Sequence, residues 1–80
     1  MRVVQVMEEA RELVAAVREA AARHRVAWGE LVPTPHLVNH AAEPAEEAAY
    51  AEMAAAKQRL RDHICELYGI SAAELTSLVR

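Results

Sequence analysis

The chain has 80 residues, 54% of them hydrophobic, a formal charge of −3 at pH 7 and one cysteine. That length holds a single domain, residues 1–80, near the lower limit for folding without disulfide or metal staples. The charge disfavours nonspecific nucleic-acid binding without excluding a local basic face, and the lone Cys65 excludes an internal disulfide and fits a reducing compartment.

Eighteen of the hydrophobic residues are alanine and none is phenylalanine. Alanine favours helix but buries little area, so long helices with thin contacts are expected. A layer of that kind gains burial by pairing with a copy of itself or with another protein. The opening Met1-Arg2-Val3-Val4-Gln5-Val6-Met7 runs directly into Glu8-Glu9. It carries no leader pattern, and no apolar run reaches the roughly 18 residues of a membrane span. Cytoplasmic is the expected location.

From Val3 to about Trp28 no proline or glycine intervenes. Apolar or neutral positions alternate three and four apart through Val3, Val6, Ala10, Leu13, Val17, Ala20, His24, Ala27 and Leu31, the seam of a packed helix. Met7, Val14, Ala21 and Trp28 widen that stripe. Gly29 is placed to end the helix. Thr34-Pro35 then has the form of an N-cap followed by proline at the first helical position, which predicts a short helix from Pro35 to about Ala42. Glu43, preceding Pro44, is expected outside the α region.

A second long helix is predicted from about Pro44 to Tyr68, with Ala45, Ala49, Met53, Ala56, Leu60, Ile64 and Leu67 as its seam. Gly69 is placed for a C-cap with Ile70 as its apolar companion. Ser71-Ala72-Ala73-Glu74 is a capping box. It starts a short last helix, to about Val79, with Leu75, Leu78 and Val79 inward. In both long helices acids come early and bases late, matching each macrodipole. Antiparallel packing sets the basic end of the first beside the acidic start of the second, whereas parallel packing would stack like charges. The expected fold is all-α: an antiparallel hairpin of two long helices, a short helix in the connection and a short C-terminal helix. Two copies would complete a four-helix bundle.

Several residue sets could carry chemistry. The stretch from Ile64 to Leu78 resembles a helix-turn-helix, with Cys65, Gly69, Leu75 and Leu78 near the required places. Its second helix offers Ala72, Ala73, Glu74, Thr76 and Ser77 outward. Base reading normally uses Arg, Lys, Asn or Gln, so a structural turn is the stronger expectation. His36 and His40, four apart, with His24 brought near by the hairpin, could suit Zn. No HExxH or ExxH pattern supports a metal, and a packed His24 is the simpler expectation. His63 and Cys65 diverge by about 200° on a helix and do not form a nucleophile–base pair. Two glycines cannot build a phosphate-cradling loop. No catalytic residue, metal ligand or cofactor is expected.

Trp28, the only tryptophan, is either a plug over the end of the hairpin or an anchor for a partner. The expected function is therefore a non-catalytic protein–protein interaction module, such as an adaptor, regulator or inhibitor. Trp28, Leu37 and His40 are its partner-binding candidates, and another protein or a second copy (a homodimer) is its partner. The alternative is a small DNA-binding regulator using residues 60–80, with Arg59, Arg61 and Arg80 on phosphates.

Overall fold

The computed structural model describes residues 2–80. Three α-helices follow one another: α1 (Arg2–Leu31), α2 (Glu43–Tyr68) and α3 (Ala72–Leu78), with a 3-10 turn at His40–Ala42 leading into α2. The two long helices lie antiparallel, as the Arg23 Nε to Glu52 Oε2 pair at 3.2 Å and the His24 Nε2 to Glu46 Oε1 pair at 2.9 Å require. The result is a plate of 50 × 28 × 17 Å. No helix among the described residues is long and apolar enough to cross a membrane.

The seam read from α1 packs against α2 along nearly its whole length. Val6, Ala10, Leu13, Val17, Ala20, His24, Ala27 and Leu31 are all buried or half-buried, while Val3, at the start, stays exposed. On α2, Ala49, Met53, Ala56, Leu60 and Ile64 turn inward; Ala45 and Leu67 do not. Ala20 and Ala56, each 2% exposed, line the same narrow groove between the helices.

The ends and the connection depart from the sequence expectation. Gly29 does not stop α1, which continues one half-turn to Leu31. Its late carbonyls find other donors: Val32 N–H reaches Trp28 O at 2.8 Å, and Asn39 N–H reaches Leu31 O at 2.7 Å. The extension carries Leu31 into a buried position, so a left-handed glycine is not needed to satisfy the helix end.

The predicted helix from Pro35 to Ala42 is also absent. Thr34 accepts from Leu37 N–H at 3.2 Å, closing a tight turn with Pro35 in the position where a fixed φ helps most. The cap falls instead to Asn39, whose side chain accepts from Ala41 N–H as the 3-10 turn begins. Glu43 is right-handed helical despite preceding proline. It prolongs the 3-10 turn, its N–H bonding to His40 O, and Pro44 sits in the first turn of α2, where its missing N–H costs nothing.

The far end follows the sequence closely. Gly69 adopts φ 64° and ψ 37°, and its N–H and that of Ile70 both reach Cys65 O. Ser71 Oγ accepts from Glu74 N–H at 3.1 Å. Leu75 is half-buried, but Leu78 and Val79 face solvent, contrary to expectation. The reason is that α3 packs on α2 alone and never reaches α1, so only one of its faces has anything to cover.

The two glycines therefore predict opposite results. Gly29 lies inside a helix with open space around its Cβ position. Gly29→Ala should stabilise the protein by about 0.5–1 kcal/mol. Gly69→Ala meets no atom either, but forces an L side chain into the left-handed region, and should cost about 1–2 kcal/mol. Thermal melts of the two variants should shift in opposite directions.

Candidate functional site

Histidine 24 organises the connection end of the hairpin. It lies on the α1 seam, half-buried, and with its proton on Nε2 it donates to the Glu46 carboxylate. Its ring sits edge-on to Tyr50 at 5.7 Å and tilted to Trp28 at 6.5 Å. Glu46 thus takes an inward place that periodicity would reserve for an apolar residue. A carboxylate one turn into α2 is placed well for the helix dipole, and its low exposure is compensated by the imidazole.

Around this pair the surface is divided. On one face of the plate, between α1 and α2, charged side chains border the Ala20–Ala56 groove: Glu19, Arg23, Glu52 and Arg59. On the opposite face Val14, Val17, Ala21 and His24 of α1 lie half-buried beside Met53 of α2, with Trp28 and Tyr50 more than half exposed at 52% and 56%. Met7, Val14, Ala21 and Trp28 recur every seven residues. They form a second column beside the one that packs on α2, in which Val14 and Ala21 are half-buried and Met7 and Trp28 are each 52% exposed.

The three partner-binding candidates have different surroundings. Trp28 is 52% exposed and lies tilted against His24 near the connection end of the hairpin. Leu37 is 56% exposed at the tip of the connecting turn. His40 is exposed and its Nδ1 is held by Glu43 Oε1 at 2.6 Å. The structure does not gather them into one constellation; Trp28 belongs instead with His24 and Tyr50. Glu46 is one of the carboxylates, with Glu43 and Glu47, that a hairpin sets near His24 at the start of α2; Tyr50, four residues on, reads from the sequence only as a flank residue of that helix.

The remaining sets also separate. His24 and His40 each face a glutamate, and among the described residues no three His, Cys, Asp or Glu side chains are grouped as a metal site. In the turn from α2 to α3, the Ser71 hydroxyl is spent on Glu74 N–H and the Thr76 hydroxyl donates to Ala72 O at 3.0 Å. His63 lies half-buried at the open end of the hairpin with its Nε2 buried and without a hydrogen-bond partner among the described residues.

The chain matches no protein-family model, no curated protein and no solved structure. The surface itself is therefore the source of any functional reading.

Proposed function

We propose that this chain is a non-catalytic protein–protein interaction module, a small helical adaptor or regulator that offers one face of its hairpin to another polypeptide. The observation that carries this reading is the column Met7, Val14, Ala21 and Trp28, repeating every seven residues, whose two large end members stay about half exposed. Patterned apolar residues left partly open to solvent are a usual mark of an interaction surface.

The extent of the surface supports the same reading. The chain exposes 6276 Å², against about 4,800 Å² for a compact monomer of this length. Its radius of gyration is 16.1 Å, against about 12 Å. The excess, on the order of 1,500 Å², is more than the roughly 800 Å² that one partner contributes to a standard protein interface. A thin plate also offers little depth for a substrate pocket.

The test combines folding with contact mapping. Trp28→Ala should keep the helical circular dichroism and lose less than about 1 kcal/mol, because the ring is half exposed. A photo-reactive benzoylphenylalanine at Ala21, introduced in cells of the source, should give adducts of discrete mass. The same group at Glu19, on the charged face, should give none, and Trp28→Ala should lower the yield from Ala21. Unfolding by Trp28→Ala, or equal adducts from both positions, would overturn the proposal.

A further inference from the structure

The uncovered face has an edge as well as a floor, and the edge is basic. Arg11 and Arg18 border the same shallow surface depression as Ala10 and Val14, and Arg25 borders one with Ala21, His24 and Trp28. Arg11, Arg18 and Arg25 stand seven residues apart, so they form a column along the outer side of the apolar one, about 10 Å between neighbours. On α2, Lys57 occupies the same column as Tyr50, one heptad on, and supplies a cation on the other side. The acids nearby are confined to the first turns of α2. Glu46 is held by His24 and Glu43 by His40, and Glu47 stands at the outer edge of α2. The chain as a whole is acidic at −3, so this edge runs against the balance of the molecule.

The geometry points to an acidic amphipathic helix of another protein as the occupant of this face. That helix would lie between α1 and α2 as the third member of a bundle. This inference rests on the docking reading above and adds the chemistry of the partner. The floor from Val14 to Ala21 is made of small or half-buried residues, with the half-exposed Trp28 and Tyr50 beside His24 toward the connection. From Arg11 to Trp28 the face runs about 26 Å, the length of some 17 helical residues. The occupant needs an apolar stripe at three- and four-residue spacing. Beside that stripe it needs Asp or Glu seven residues apart to meet Arg11, Arg18 and Arg25.

A second copy fits this face less well. Stacked by a two-fold axis across the helices, centred on Arg18, α1 meets its mate with Arg18 against Arg18 and Arg11 against Arg25. With the axis along the helices, the register set by Arg23 and Glu52 puts Arg18 level with Lys57 of the second copy. Both arrangements bring like charges together at a partly desolvated edge, where their repulsion is strengthened. An acidic helix meets the same cations with opposite charge.

Trp28 makes the experiment direct, since the only tryptophan reports on its own face. Two 21-residue helical peptides with the same Leu/Ala stripe are titrated into the intact chain, one flanked by Glu and one by Lys. The Glu peptide should shift Trp28 emission to the blue and bind at least tenfold tighter at low salt. The difference should shrink by 0.5 M NaCl as screening sets in. Arg18→Glu with Arg25→Glu, both exposed and so compatible with folding, should reverse the preference.

Equal binding of the two peptides overturns the acidic partner and leaves the docking reading standing. So does a peptide-free dimer by light scattering whose Trp28 emission is already shifted. A response to phosphatidylglycerol vesicles with none to the Glu peptide assigns the face to lipid and overturns both. A monomer that responds to neither peptide also overturns both.

Discussion

Replacing Ala56 by aspartate should abolish the fold at 25 °C. Ala56 is 2% exposed and shares its groove with Ala20, equally buried. An aspartate there must shed its hydration between two closely spaced helices, and Glu52, one turn earlier on the same groove, repels it. Arg23, the nearest cation on α1, is already committed to Glu52. Arg59, on the same groove but exposed, offsets the charge only in part, and burying such a carboxylate costs about 3–5 kcal/mol. The stability available to 80 residues is on the order of 4–12 kcal/mol, and a seam whose fully buried residues are mostly alanine (Ala20, Ala27 and Ala56, with Leu31) belongs at the low end. Far-UV circular dichroism should therefore show loss of helix, or a melting point lowered by more than about 15 °C. Ala51→Asp, the same substitution at an exposed position of the same helix, should cost only its helix propensity, less than about 1 kcal/mol. Similar losses from both substitutions would mean that helix propensity, not the contact between α1 and α2, holds the hairpin together.

Leu31→Ala is the second substitution expected to act strongly, at about 2–4 kcal/mol. Leu31 is the only residue larger than alanine among the buried hydrophobic residues, so it contributes more packed area than any single alanine of the seam. Its carbonyl also receives Asn39 N–H as the chain turns back. Truncation leaves a void beside the connection. Leu37→Ala, six residues later and exposed, should change stability by less than about 0.5 kcal/mol. Urea unfolding separates the two: Leu31→Ala should lower the midpoint with little change in slope, and Leu37→Ala should leave it in place. A Leu37 effect as large as that of Leu31 would mean that the connecting turn, rather than the helix end, anchors the return of the chain.

The sequence was most legible where side chains repeat. Eight of the nine positions read as the α1 seam are inward because a three-and-four alternation leaves one face to bury, whatever covers it. It was least legible where one short pattern serves two conformations. Thr34-Pro35 suits the start of a helix and the start of a tight turn equally, and the choice depends on Leu31 O capturing Asn39 N–H, a contact eight residues apart. Gly29 raised the same ambiguity, settled by where Leu31 could be buried. At the helix ends, Val3, Leu67 and Leu78 are apolar without being covered, since periodicity reports which face a residue shares but not whether a neighbour extends that far. The candidate site was half visible. Trp28 stood out by type, whereas Tyr50 reads as a flank residue of α2 until the His24 ring is seen beside it across the seam.

The attachment of α3 to α2 alone has a consequence for how the molecule comes apart. Undoing α3 breaks no contact with α1, so its seven residues can open and close while the hairpin remains whole. Their opening free energy is set by one capping box, the Gly69 junction and the partial burial of Leu75. The amides of α1 and α2, by contrast, become free only when both helices separate. The chain thus holds two cooperative units of unequal stability, and the smaller one can be ordered or released without disturbing the larger.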